Sequence, residues 1–309
     1  MSAPISVIAV VGPTGVGKTA LAIQLAQRFD GEIVNADSRQ VYLGMDIGTA
    51  KPTMAEQRAA RHHLIDIRAP DEPLSLGEYL PLARRAIIDI NRRRRLPVLC
   101  GGTGQYVWAL LEGWQVPQVP PDPAYRAELE RRAEVEGTTA LWRELNALDP
   151  NRAASIGPHN TRRVIRALEI LHATGEKIAA AVRSPEPPYR ALIIGLTAER
   201  SVLYERIDAR FESMMSAGLL DEARRLRQDG YPLGTGPLAS VGYSQLGAYL
   251  AGEMTLAEAI ERAKTQTHRL VRRQYTWFKL SDKRVVWLDA DHGLPMAEAG
   301  PRVADFLSE

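Results

Sequence analysis

Cysteine is all but missing from this sequence. Cys100 is the only one in 309 residues, which excludes an intrachain disulfide and any multi-cysteine zinc site. It ends an apolar run and reads as a small buried core residue. Net charge is scarce as well. The 39 basic and 37 acidic residues leave only +2, so total charge does not argue for a nucleic-acid partner, and its distribution has to decide. Long hydrophobic runs are absent. The first apolar run has no basic stretch before it, and no later one approaches a membrane span. A soluble, cytoplasmic protein with no membrane partner is expected. Signatures of other chemistries are missing too: there is no G-x-S-x-G, no H-E-x-x-H and no kinase H-R-D set. No internal repeat or low-complexity tract interrupts the chain, which is long enough for one large domain or two smaller ones.

What is present is Gly12-Pro13-Thr14-Gly15-Val16-Gly17-Lys18-Thr19, a match to G-x-x-x-x-G-K-[ST]. An apolar strand-like run, 7–11, precedes it and a helical pattern, 20–26, follows; that is the context the motif needs. The glycines let backbone N–H groups turn inward around phosphate oxygens, and the new helix adds its positive end. Lys18 offers a point charge and Thr19 a hydroxyl ligand for Mg2+. The loop predicts a bound di- or triphosphate without saying what becomes of it.

Short β-rich runs at 6–11, 32–35, 63–67, 97–100, 191–196 and 284–288 alternate with helical stretches. Most are apolar throughout, as parallel strands buried on both faces are. The expected fold is therefore α/β, a P-loop parallel sheet flanked by helices. Two proline-rich stretches, 116–123 and 184–188, read as stiff linkers. Between them lie helical patterns at 124–136, 138–148 and 160–173, and no strand. The expected organisation is a P-loop core over 1–115 and 189–309, with an all-helical domain inserted at 116–188. Residues 197–228 read as one long helix. Residues 255–280 read as another, opened by the capping-box pattern Thr255-Leu256-Ala257-Glu258.

Several constellations bear on chemistry. The second strand runs into Asn35-Ala36-Asp37-Ser38-Arg39-Gln40-Val41-Tyr42. Ligands of open α/β sheets bind beyond the carboxyl ends of the strands, so Asp37 falls on the phosphate-loop edge. A carboxylate there can take a proton from an amine or hydroxyl, and Gln40 can read a base edge. A polar turn capping a helix is the plainer alternative. Gly101-Gly102-Thr103-Gly104 makes a second glycine-rich turn on the same edge, where the Thr103 hydroxyl can reach a phosphate oxygen or a base. No acid ends the run at Cys100, and Asp66 is the only similar one, which leaves metal ligands beyond Thr19 open. Arg206 and Arg210 share a helix face and lack acidic helical neighbours, which points to an anion such as a diphosphate opposite them, Arg210 ahead of Arg206, with a solvated basic face as the plainer alternative.

Arg162, Arg163 and Arg166 lie on one inserted helix. Lys264, His268, Arg269, Arg272 and Arg273, followed by Tyr275, Trp277 and Phe278, set cations beside aromatics as an RNA surface does. Trp277 and Phe278 are nevertheless read as core. Arg92-Arg93-Arg94-Arg95 closes a helix and reads as a solvated face, and His62-His63 as structural.

Together these motifs resemble the tRNA dimethylallyltransferases (tRNA isopentenyltransferases) of bacterial type. The resemblance is carried by Gly12 to Thr19, Asp37-Ser38-Arg39-Gln40-Val41-Tyr42, Gly48-Thr49-Ala50-Lys51-Pro52, His63-Leu64-Ile65-Asp66 and Gly101-Gly102-Thr103-Gly104. It continues through Arg166-Ala167-Leu168-Glu169, Arg210 with Met214 and Gly218, Val241-Gly242-Tyr243, and Arg273-Gln274 with Thr276-Trp277-Phe278. The family moves a dimethylallyl group from dimethylallyl diphosphate to N6 of the adenine 3′ of the anticodon. The resemblance implies that residues 12–19 hold a departing diphosphate rather than ATP, with Mg2+. By the same resemblance Asp37 takes the N6 proton, while Ser38, Arg39 and Gln40 hold the adenine. Thr103 contacts substrate, and Arg210 grips the diphosphate. The inserted domain becomes a clamp for the anticodon stem-loop through Arg162, Arg163 and Arg166, and the acting form is expected to be a monomer. Two departures stand out: Arg162 replaces a frequent glutamine, and the zinc finger of some eukaryotic members is absent. The runner-up is a P-loop small-molecule or nucleotide kinase, which turnover of ATP with a small acceptor would reveal. A GTPase-like regulator is disfavoured because no N-K-x-D motif is present.

Overall fold

The computed structural model of the chain describes residues 4–117, 119–120, 122–175, 184 and 187–309. They form two compact units, Met1–Gly113 with Pro185–Glu309, and Trp114–Ser184. The first half of the larger unit contains β1 (Ile5–Val11), α1 (Lys18–Arg28), β2 (Gly31–Asn35), α2 (Met54–Ala59), β3 (His62–His63), α3 (Leu76–Arg92), β4 (Leu96–Cys100) and α4 (Gly104–Leu111). The smaller unit contains α5 (Pro123–Glu136), α6 (Thr138–Leu148), α7 (Pro150–Ile156) and α8 (Thr161–Thr174). The chain returns through β5 (Tyr189–Thr197), α9 (Arg200–Ser216), α10 (Leu219–Gln228), α11 (Tyr243–Leu250), α12 (Leu256–Trp277), β6 (Val285–Asp289) and α13 (Met296–Ser308).

The six strands pair in parallel in the order β3-β2-β4-β1-β5-β6. Every residue of β2 and β4 is buried, as is the stretch 7–11 of β1, because helices cover both faces of the sheet. This is the α/β architecture that the apolar runs predict. Parallel pairing also puts the ends of β1, β2 and β4 on one edge. The three loops that begin at Gly12, Ala36 and Gly101 therefore leave the sheet side by side.

Two elements depart from expectation. The predicted strand at 63–67 stops after His63, because Leu64 and Asp66 turn into the left-handed region (φ 64° and 56°). That turn carries the Asp66 carboxylate to the ammonium of Lys51, and the Leu64 carbonyl accepts from Asn35 Nδ2 at 3.0 Å. The long helix predicted over 197–228 is two helices. Residue 197 still belongs to β5, and Gly218 (φ 100°) breaks the run between α9 and α10. A left-handed residue cannot continue a right-handed helix, and glycine adopts that conformation without a Cβ clash. The helix expected at 255–280 forms as α12, and Thr255 accepts from Glu258 N at 3.2 Å within its capping box.

Among the described residues the smaller unit contains helices and no strand, and it has its own core of Leu129, Leu141, Leu145, Ala153, Val164, Ile165, Ala167 and Leu168. Its described residues hold one helix more than the sequence pattern predicts. α7 opens on Asp149-Pro150, with Asp149 accepting from Arg152 N at 3.0 Å, as α5 opens on Asp122-Pro123. The proline-rich stretches predicted as linkers include Gln118, Pro121, Pro185 and Glu186, which lie outside the described residues. Among the described residues no helix is long and apolar enough to cross a membrane.

Candidate active site

The loop after β1 carries Gly12, Pro13, Thr14, Gly15, Val16 and Gly17 into α1, which opens at Lys18 and Thr19. Gly15 and Gly17 take positive φ (82° and 100°). Among the described residues the N–H groups of Gly15, Val16 and Gly17 have no acceptor in the protein. Such a row of free donors at a helix start is built for an anion. The Lys18 ammonium donates to the Pro13 carbonyl at 2.7 Å. Burial lowers its pKa to about 8; Cys100 and Asp37 oppose that shift, and Arg210 adds to it.

Asp37 stands just past β2. Its N–H donates to Asn35 Oδ1 at 2.9 Å, and its Oδ1 accepts from Arg39 N at 2.8 Å. The carboxylate is therefore aimed by its own turn, and its second oxygen has no hydrogen-bond partner among the described residues. The Thr103 hydroxyl accepts from Ser38 N at 2.9 Å and donates to Ser38 Oγ at 3.2 Å, which stitches the second glycine-rich turn to the Asp37 turn. Arg39 donates to the Pro237 carbonyl at 2.9 Å. Gln40 donates to the carbonyls of Thr49 and Ala50 at 3.4 and 3.1 Å.

Arg210 on α9 completes the group. It has no hydrogen-bond or ion-pair partner among the described residues. Crowding by protein lowers its pKa, and the negative charges of Asp37 and Glu56 oppose that. Lys18, Asp37 and Arg210 thus sit close enough to act on one another's charge. Arg206 is different. Its guanidinium donates to the Asp291 carbonyl at 2.7 Å, which corrects the expectation of two arginines facing one anion.

One residue of the Arg273-Gln274 pair has a contact that its motif does not reveal. Gln274 on α12 is buried; its Oε1 accepts from Thr14 N at 2.8 Å, and its Nε2 donates to Gly102 O at 3.2 Å. It braces the phosphate loop against the second glycine-rich turn. A Cβ on Gly102 would lie 2.3 Å from Gln274 Nε2, so a larger residue there would displace the amide from this position. The available signal is a polar residue falling on the buried face of α12 with Ala259, Ala263 and Val271.

Other predicted groups are buried, paired or left on the surface. Cys100 is buried, which pushes its thiol up to about 12 and makes it inert. Asp66 is taken by Lys51, so it does not serve as the missing acid after β4. Arg93 and Arg95 are not merely a solvated face, since both reach the buried Glu32, at 2.6 and 3.6 Å, and His63 meets the same carboxylate at 2.6 Å. Phe278 is core at 1% exposure, whereas Trp277 is 36% exposed. On α12, Lys264 pairs with Glu212 and His268 with Asp208, while Arg269, Arg272 and Arg273 are exposed. In the helical unit Arg162 and Arg163 are exposed, and Arg166 is committed to Glu169 at 2.8 Å and Val119 O at 2.7 Å.

No group of three or more His, Cys, Asp or Glu side chains that could hold a metal occurs among the described residues. A hard cation such as Mg2+ keeps waters and phosphate oxygens and needs only one or two protein oxygens. The Thr19 hydroxyl, which has no partner among the described residues, fits that demand.

A family model described as IPP transferase matches residues 40–281, and one described as isopentenyl transferase matches residues 5–74. A tRNA dimethylallyltransferase of Roseiflexus sp. (strain RS-1) is 55% identical over 275 residues, covering 89% of this chain and 90% of that one. The tRNA dimethylallyltransferase of Thermomicrobium roseum is 50% identical over 283 residues, covering 92% and 86%. Among solved structures, the tRNA isopentenylpyrophosphate transferase of Bacillus halodurans superposes with a TM-score of 0.74 at 41% identity, over 99% of this chain and 97% of that one. A eukaryotic dimethylallyltransferase acting on tRNA superposes at 0.82 with 28% identity, over 98% and 80%.

Proposed function

The chain belongs to the IPP transferase family of tRNA dimethylallyltransferases, and from that premise we propose that it transfers a dimethylallyl group from dimethylallyl diphosphate to N6 of the adenine 3′ of the anticodon. The observation that carries the reading is the meeting of Lys18, Asp37 and Arg210 beside the free N–H groups of residues 15–17. Cations and amides suit a diphosphate, and a carboxylate suits a proton acceptor, on one sheet edge.

An allylic carbon leaves its diphosphate readily only when the leaving charge is neutralised. Residues 12–19 and Arg210 hold that charge. Bound Mg2+, with Thr19 as a protein ligand, would supply further neutralisation. An adenine amine is a weak nucleophile because its lone pair is delocalised into the ring. As the C–N bond forms and the C–O bond breaks, Asp37 accepts the N6 proton. Ser38, Arg39, Gln40 and Thr103 hold the base, which must leave its stack to be reached. The helical unit clamps the stem-loop, with exposed Arg162 and Arg163 toward phosphates, while Arg166, tied to Glu169, supports the helix that presents them. The acting form in this reading is a monomer in the cytoplasm. Purified protein, Mg2+, dimethylallyl diphosphate and tRNA should yield diphosphate and tRNA heavier by one dimethylallyl group, with no nucleoside triphosphate present. ATP turnover with a small acceptor and no tRNA product would overturn the reading in favour of a kinase.

A further inference from the structure

A second carboxylate, outside every motif of the sequence, holds the turn against which Gln40 is hydrogen-bonded. Glu222 on α10 is 3% exposed, and no cation pairs with it among the described residues. Its carboxylate instead accepts from three consecutive backbone N–H groups: Asp46 at 3.0 Å, Ile47 at 2.9 Å and Gly48 at 3.1 Å. The Tyr243 hydroxyl donates to it as well, at 2.5 Å. A buried charge without a counter-ion persists only when its oxygens are fully hydrogen-bonded, and these four donors do that. Burial, followed by the Glu222 charge, raises the Tyr243 pKa well above its ordinary value, so the hydroxyl keeps its proton and remains a donor.

The turn that Glu222 holds leads straight to Gln40. Thr49 and Ala50 follow the three bound amides, and their carbonyls both accept from Gln40 Nε2. Ala50 sits at φ 53°, a conformation that persists in a non-glycine residue only when its surroundings impose it. Lys51 tethers the far side, donating to Tyr42 O at 2.7 Å and to Asp46 Oδ1 at 2.6 Å. Two carbonyls facing one end of an amide settle which end is nitrogen, since oxygen there would meet two acceptors. Gln40 is left with Oε1, an acceptor only.

We propose that Glu222 is a positioning residue that fixes the polarity of the Gln40 amide, so that this side chain accepts from an amino group on the target base and rejects a 6-oxo purine. Adenine presents N6–H donors at that place and hypoxanthine an oxygen. The inference rests on the adenine-modifying reading above and adds to it a source of base choice. Glutamine at 222 would have the same shape but only one acceptor oxygen, and its NH2 would face N–H groups. The 46–50 turn would then lose its anchor while the buried volume stays filled.

The test compares binding of the full-length protein to two anticodon stem-loops that differ only in adenine or hypoxanthine at the target position. The wild type should prefer the adenine loop by about tenfold, the scale of one hydrogen bond in a site that leaves the wrong partner unpaired. Glu222→Gln should bring the ratio close to one while affinity for the hypoxanthine loop, which is set by phosphate contacts, stays as in the wild type. Tyr243→Phe removes one of the four donors and should fall between. A purely structural role would weaken both loops equally and leave the ratio alone, and that result overturns the proposal. So does a wild type with no preference. If Glu222→Gln does not fold, the ratio for Tyr243→Phe decides by the same criterion. Failure of the enzymatic reading shows separately, as absence of a dimethylallyl mass increase on tRNA with the wild type.

Discussion

The two ends of β2 carry carboxylates with opposite fates. At its start Glu32 is 1% exposed and surrounded by donors: His63 and Arg93 at 2.6 Å, Arg95 at 3.6 Å and Arg61 at 3.8 Å. Burial pushes its pKa up, but the hydrogen bonds from His63 and Arg93 outweigh that, and the net shift is downward. Just past its other end, Asp37 keeps one oxygen free and forms no ion pair among the described residues, although Lys18 and Arg210 lie within electrostatic reach. The same chemical group on the same strand is quenched at one edge of the sheet and held ready at the other. Cations that have already found their carboxylates hold the fold together. Cations and carboxylates left without a partner are the ones to which we assign the substrate.

The sharpest way to break this contrast is to remove the ready carboxylate. Asp37→Ala should lower turnover by about 10²- to 10⁴-fold, the usual contribution of a general base. Binding of tRNA should stay near the wild-type value, as gel-shift titration would show. Equal loss of both would make Asp37 a binding or structural group like Glu32.

Lys18 gives the next largest effect. Its pKa of about 8 means that the free protein loses this cation as pH rises through that value. kcat/KM for dimethylallyl diphosphate should therefore fall about tenfold per pH unit above it, since that parameter reports the free enzyme. Lys18→Arg keeps its charge across the range, so any activity it retains should lack that limb. A wild-type profile flat to pH 10 would show that the lysine is not the anion-gripping charge.

Glu32→Ala probes the quenched end. Breaking a buried ion pair is costly, but Arg93 and Arg95 are 40% and 44% exposed at the side chain and can turn to water. The expected loss is about 1–2 kcal/mol in a urea titration, with kcat unchanged. The sign with pH follows from the lowered pKa. Glu32 stabilises above its ordinary value of 4.5, and the contribution is lost as pH falls through the lower folded value. The gap between wild type and variant should thus close in acid. A variant as stable as the wild type at pH 7 would remove Glu32 from the framework.

The smallest effect belongs to the helical unit. Arg163→Ala should weaken tRNA binding a few-fold and reduce the slope of log K against log salt by about 1, as loss of one phosphate contact does. The same slope with a weaker affinity would place Arg163 away from phosphates.

Much of this contrast is legible along the chain. The phosphate loop, the Asp37 turn and the Gly101–Gly104 turn each stand out because they follow apolar runs directly. Parallel pairing then has to place them on one edge. Capping boxes and Asp-Pro starts mark helix ends for the same local reason, and α7 carries that signal at Asp149-Pro150 although its short span shows no helical period. Arg206 and Arg210 look equivalent in sequence because helix spacing says nothing about what else reaches the face. The loop at Asp291 takes one and leaves the other. Glu222 does not announce itself, since a single polar residue on a helix has no motif, and the Arg273-Gln274 pair does not say that Gln274 reaches Thr14 and Gly102.

The sequence by itself determined the alternating fold, the anion-binding loop and the family, because each rests on residues that are neighbours along the chain. Only the tertiary structure decided which charges are spent and which stay free. Thr14 finds Gln274 across 260 residues, and the amide of Gly48 finds Glu222 across 174. Such pairings depend on how sheet and helices pack, and packing brings together groups whose separation in sequence carries no period to read.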